Sequence, residues 1–382
     1  TTQAVTNIGS GDYFLEDLTT YLPLPDRAQE SLDFAGRWVK ERQPVRRQIQ
    51  PGVVAREVRE GRTSHDYTIL QLAMTTAATF RTGEVWSLGL MFSGNSRHTI
   101  EQLQSGRKSI SAGELLMPGE MILEAGKSYE AAPVAAVYSN SGIDGTSDRS
   151  YRWLRSRADH PTNKRPRPLT LNVWEAVYFD HDLGKLTELA EVAKKIGVER
   201  FVLDDGWFGS RRDDTSGLGD WVISKDVWPE GLGPLIDVVK ANGMEFGLWF
   251  EGEMVNPDSD VYRAHPEWIL NVAGRVPPTG RGQLVLDLTN PECYQHIFDQ
   301  TNKILTDFDI SYIKWDHNRP LVDPGHNGKA SVHEQTKALY RLFTDLKANH
   351  PVLEIESCAS GGGRVDLGIA QIVDRFWVSD CN

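Results

Sequence analysis

Between residues 169 and 378 the chain alternates short apolar runs with amphipathic stretches, a pattern that few folds accommodate. The apolar runs lie at 169–176, 201–203, 246–250, 310–313, 353–356 and 376–378, and helical periodicity occupies 182–196, 232–242, 291–308, 332–348 and 364–372. In the first of these helices Leu183, Leu186, Leu189, Ala190 and Ala193 share a face, and the second stops before Gly243, a common C-terminal signal. Strand, helix and strand in repetition make a parallel sheet with right-handed crossovers, because each crossover must return over a face of the sheet. Six strands are written here and a (β/α)8 TIM-type barrel needs eight. The expectation is a barrel truncated after its sixth strand, on a piece of a longer protein.

Residues 1–157 have a different texture, and the chain as a whole reads as α/β plus all-β. Strand-like runs at 67–74 and 85–92 are bounded by turn clusters at 60–63 and 93–96, which predicts a partial N-terminal β-sandwich. A segment at 146–157 carrying Tyr151, Trp153 and Leu154 reads as a helix leading out of it. Residues 158–168 contain three prolines and no apolar pattern, so they read as a linker between the sandwich at 1–157 and the barrel at 169–382.

The formal net charge of -12 argues against nucleic acid as a partner, since phosphate binding needs a basic face. Three cysteines, Cys293, Cys358 and Cys381, are too few and too scattered for a disulfide framework or a CxxC metal site, so no metal or cofactor is expected and a cytoplasmic setting is. No apolar run approaches the roughly 20 residues of a membrane span, and the N-terminus shows no secretory pattern. A membrane partner is therefore not expected either.

The ends of the expected strands are polar. Lys314 and Asp316 follow the run at 310–313 and, two apart, point to one face; Asp204 and Asp205, Glu251, Cys358 and Asp380 close other runs. In a barrel these C-terminal ends form one mouth. Asp316 and Asp380 are candidates for the two carboxyl groups that glycoside hydrolysis requires, with Lys314 placed to keep Asp316 ionised. Taken singly, Lys314 with Asp316 also reads as a structural ion pair and Asp380 as a capping residue.

Together the stretches Leu203-Asp204-Asp205-Gly206-Trp207-Phe208, Glu253-Met254-Val255, Gly280-Arg281-Gly282-Gln283, Lys314-Trp315-Asp316-His317-Asn318-Arg319 and Ser360-Gly361-Gly362-Gly363-Arg364 resemble the α-galactosidases of glycoside hydrolase family 36, over about residues 36–382. The resemblance implies Asp316 as nucleophile and Asp380 as acid/base of a retaining mechanism through a covalent glycosyl-enzyme. It also implies sugar contacts: Asp204 and Asp205 at the C4 and C6 hydroxyls, Trp249 as a wall, and Arg281 and Lys314 around C3 and C4. Cys358 and Gly361 fall near C2 and Trp377 at the rim. Expected substrates are α-galactoside oligosaccharides such as melibiose and raffinose, and the family suggests a homotetramer. An α-N-acetylgalactosaminidase, a transglycosylase of the raffinose-synthase kind and a non-catalytic sugar-binding fragment are the alternatives. One departure stands out: Gly252 occupies the place of the family's usual proline between Glu251 and Glu253, which is expected to loosen that loop.

Overall fold

The computed structural model describes residues 1–156 and 165–381. Its N-terminal part contains two larger antiparallel sheets. The five-stranded sheet runs Val134–Ser139, Val85–Leu90, Gln71–Met74, Glu30–Arg37, Lys40–Gln48, and the four-stranded sheet runs Thr20–Leu24, Lys108–Glu114, Ser96–Gln102, Gly52–Val58. Alternate residues face inward, so Leu24, Ile100, Ile110 and Ala112 of one sheet share a core with Ala73, Leu88, Leu90 and Val134 of the other. The expected strand at 67–74 is shorter, Gln71–Met74, because the Tyr67 N–H turns back to the Ser64 carbonyl at 3.1 Å. Helix α1, Gly142–Arg155, begins earlier than expected, where the Gly142 and Ile143 amides bond the carbonyls of Gly83 and Thr79.

The second part is a six-stranded parallel sheet whose strands follow one another in chain order. They are β1 Thr170–Asn172, β2 Arg200–Leu203, β3 Glu245–Phe250, β4 Tyr312–Trp315, β5 Glu354–Ser357 and β6 Arg375–Phe376. Helices α2 Leu183–Lys195, α3 Gly233–Ala241, α4 Pro291–Asp307 and α5 Val332–Asn349 provide crossovers. Their starts carry strong local signals. The Asp182 carboxylate accepts from the Lys185 N–H to cap α2, and Asn290 caps α4 just before Pro291; such caps contribute about 1 kcal/mol each.

Burial explains the apolar runs. Phe201, Val202, Leu203, Leu248, Phe250, Ile313 and Ile355 are all fully buried, as strands covered on both faces must be. At the opposite end from the polar strand ends, the buried Arg200 guanidinium meets Glu245 at 2.7 Å and Glu354 at 2.8 Å and lies over the Tyr312 ring. The sheet is curled: Arg375 on the last strand donates to the Thr170 hydroxyl on the first at 2.9 Å.

Two expectations for this part need correction. The run at 169–176 is not one strand; β1 stops at Asn172, whose side-chain oxygen accepts from the Trp174 N–H at 2.8 Å, and Trp174–Val177 forms a helical turn. The stretch 364–372 is not a helix beyond the single turn Ile369–Gln371. There the buried Asp366 carboxylate takes the Gly368 and Ile369 amides and the Ser93 and Thr63 hydroxyls, a set of partners that competes with helix formation. Of the expected linker, 158–164 lies outside the described residues. Arg165, just beyond, bonds Glu245 and Glu354, and Arg167 bonds the Asp374 carbonyl.

The two parts are packed together. The Leu321 N–H donates to the Glu60 carbonyl at 2.7 Å, and Gly61 (φ +71) faces Leu321 so closely that a Cβ would lie 2.3 Å from that side chain. A turn cluster that bounds two N-terminal strands thus also seats the parallel sheet.

Candidate active site

A cavity of about 930 Å³ opens at the C-terminal ends of the parallel strands. Asp204, Asp205, Trp249, Arg281, Lys314, Asp316, Trp377 and Asp380 line it, each brought there by a strand end or the loop that follows. Cys358 and Gly361 are not in the lining. They lie behind it, Cys358 against Asp316 and Gly361 against the Asp380 backbone.

Asp316 follows the last residue of β4, and its carboxylate is fixed from three sides. Oδ1 accepts the His317 N–H at 2.9 Å and the Ser360 N–H at 3.3 Å, while Oδ2 accepts the Trp249 indole N–H at 3.2 Å. Burial pushes the carboxyl up, but the Lys314 charge and hydrogen bonds from Asn318, His317 and Cys358 outweigh it and hold the group below the ordinary aspartate range. It is an anion in a buried site. Cys358 is the reverse case: burial and then the Asp316 charge push its thiol well up, so it donates rather than ionises. Lys314 donates to Asp204 Oδ2 at 3.0 Å and lies 4.5 Å from the centre of the Trp377 ring.

Asp204 and Asp205 sit side by side after β2, which would be repulsive without partners. Asp204 accepts from Asn172, Lys314 and the Asp205 N–H. Asp205 is paired with Arg211, whose Nη2 and Nε lie 2.8 and 3.0 Å from the carboxylate and whose Nη1 is anchored on Asn256. Burial nonetheless raises the Asp205 carboxyl, with the Arg211 charge opposing it. Arg211→Met should therefore cost about 3 kcal/mol of stability, the scale for breaking one buried pair. A carboxyl raised in the native state binds its proton more tightly when folded, so its contribution is lost as pH rises above the ordinary aspartate value. Thermal midpoints of Arg211→Met and wild type should diverge between pH 4.5 and 7.5; a constant gap would contradict the pairing.

Asp380 lies beyond β6. Each of its oxygens takes an indole N–H, Oδ1 from Trp377 and Oδ2 from Trp38, both at 2.9 Å. Gly361 (φ +73) lets this segment approach, since a Cβ there would stand 2.6 Å from the Asp380 amide nitrogen.

Beneath the cavity Glu251 accepts from Gln283 and from the Asn318 amide. Burial, and then the Asp316 charge, raise Glu251 to about 8, so at neutral pH it adds little negative charge beside Asp316. Glu253 holds Arg364 at 2.7 Å and the Trp315 indole N–H at 3.0 Å. The loop between them is packed rather than loosened: a Cβ on Gly252 would stand 2.4 Å from the Trp315 ring.

Sequence reading missed Trp38, Arg211 and Asn172. Trp38 and Asp380 are 342 residues apart, and nothing in the local sequence links them. Arg211 had a weak signal, a basic residue six positions after a buried acid. Among the described residues no group of three or more His, Cys, Asp or Glu could hold a metal ion, and no helix is long and apolar enough to cross a membrane.

Comparison with known proteins places these features in context. The pattern of the Melibiase family matches residues 128–382, and that of the glycosyl hydrolase family 36 N-terminal domain matches residues 1–124. An α-galactosidase of Escherichia coli is 42% identical over 379 residues, covering 99% of this chain and 54% of that protein. The α-galactosidase AgaA of Geobacillus stearothermophilus is 35% identical over 373 residues, covering 96% of this chain and 51% of that protein. Its crystal structure superposes with a TM-score of 0.95, covering 99% of this chain and 54% of that one, and a variant of AgaA has been solved in complex with raffinose. The chain spans about half the length of the curated relatives it matches.

Proposed function

The chain belongs to glycoside hydrolase family 36, and from that membership we propose that it carries the catalytic centre of a retaining α-galactosidase. The observation that carries the reading is the pair Asp316 and Asp380, which face one cavity. Asp316 is held as an anion, as a nucleophile must be. Its carboxylate attacks the anomeric carbon of an α-galactoside and forms a β-linked galactosyl ester. Asp380 gives its proton to the departing glycosidic oxygen. In the second half-reaction it takes a proton from water, whose oxygen displaces Asp316 and leaves galactose in the α configuration.

Asp204 and Asp205 accept from the C4 and C6 hydroxyls, Lys314 and Arg281 donate around C3 and C4, Trp249 forms a wall and Trp377 the rim. Cys358 and Gly361 back the C2 side closely, which favours galactose over its N-acetylated analogue. No metal or cofactor takes part. The raffinose held by the relative supports α-linked galactose on a sugar hydroxyl as the substrate class.

In this reading the six parallel strands are six of the eight in a (β/α)8 barrel. The two antiparallel sheets are the C-terminal part of a β-sandwich, with a linker at 158–168 between domains at 1–157 and 169–382. A cytoplasmic homo-oligomer, a tetramer by family resemblance, completes the proposal. The test uses the full-length protein: it should hydrolyse 4-nitrophenyl α-galactoside, with the α-glucoside, β-galactoside and N-acetyl-α-galactosaminide turned over at least about a hundredfold more slowly. Preference for the N-acetylated substrate, or no hydrolysis of any, overturns it.

A further inference from the structure

Trp38 reaches the cavity from the N-terminal part of the chain, at the tip between the strands Glu30–Arg37 and Lys40–Gln48. The tip is strained, with Val39 at φ 53, a region that β-branched residues avoid. Besides the Arg42 bonds to the Ser64 and His65 carbonyls, it is held by contacts to the Asp380 segment and to the loop after β5. The Ser379 hydroxyl donates to Glu41 at 2.8 Å, Arg42 Nη2 donates to the Gly362 carbonyl at 2.8 Å, and the Gly362 N–H points to Glu41. Trp38 itself is 55% exposed, so core packing does not explain its place. Its side chain places the indole N–H on Asp380 Oδ2.

We infer that Trp38 is a positioning residue for Asp380, and that the N-terminal hairpin thereby completes the catalytic centre. With Trp377 on Oδ1 and Trp38 on Oδ2, rotation of the carboxyl group about its Cβ–Cγ bond is arrested from opposite sides. An indole N–H offers no lone pair to accept a proton, so Trp38 acts on the orientation of Asp380 and takes no part in the transfer. The inference rests on the acid/base role proposed for Asp380.

Trp38→Phe in the full-length protein tests it, since an aromatic ring is kept while the N–H donor is lost. Turnover of melibiose should fall roughly tenfold, the scale of one hydrogen bond to a charged group, with KM within about twofold. The kcat/KM for 2,4-dinitrophenyl α-galactoside, which reports glycosylation alone and whose leaving group departs without an acid, should stay within about twofold. In an Asp380→Ala background the same substitution should add nothing, because the two residues act as one unit. Equal effects on both substrates, no effect on either, or losses that add to those of Asp380→Ala would overturn the inference. Those outcomes read against an active wild type; a wild type inactive on both galactosides would instead overturn the proposed function.

Discussion

Asp316→Asn is expected to abolish turnover, by more than a thousandfold, with the fold intact. A neutral amide cannot form the galactosyl ester, and a thousandfold corresponds to about 4 kcal/mol of lost transition-state stabilisation. The substitution is nearly isosteric and stays among the same donors, the His317 and Ser360 amides and the Trp249 indole. The thermal midpoint should therefore move far less than for a core truncation. In the wild type the acid limb of kcat/KM, which reports the nucleophile in the free enzyme, should fall below the 3.8 of an ordinary aspartate, because Lys314 and three hydrogen bonds favour the anion. Stereochemistry gives a sharper check. Asp316→Gly with added azide leaves space for the anion on the face vacated by the carboxylate, so the product should be the β-galactosyl azide. Residual activity of Asp316→Asn above a thousandth of wild type, or an α-azide from Asp316→Gly, would place the nucleophile elsewhere.

The second large effect concerns Asp380→Ala and depends on the leaving group. A nitrophenolate departs with little help, whereas the sugar alkoxide that would leave from melibiose or raffinose is strongly basic and needs a proton. Loss of the acid should slow the natural substrates by a factor of about 10²–10⁴ while an activated aryl galactoside still forms the glycosyl-enzyme. That intermediate then accumulates, since the base that activates water is missing as well. Azide needs no base, so it should restore turnover of the aryl substrate and give the α-galactosyl azide, the opposite anomer from that of Asp316→Gly. Similar losses on both substrates without an azide product would reduce Asp380 to a structural partner of Trp38 and Trp377.

Local periodicity carried most of the architecture. A strand buried on both faces must be apolar throughout, and a helix lying on it must be apolar on one side, so β2 to β5 and helices α2 to α5 were legible from neighbours a few residues apart. The same logic reached Lys314 and Asp316, because residues two apart on a strand share a face, and the cavity does contain both. It failed where side-chain hydrogen bonds outbid the periodic pattern. Asn172 ended a strand by turning its side chain to the Trp174 amide, and Asp366 drew the stretch after Arg364 into a set of caps shared with Ser93 and Thr63. By itself the sequence determined where the sheet strands run, which ends are polar, and which carboxylates could do chemistry. Only the tertiary structure decided what each carboxylate touches: Arg211 on Asp205, and Trp38 on Asp380 across 342 residues. Contacts between distant residues leave no periodic trace, because chain spacing encodes which face is buried and not what lies against it.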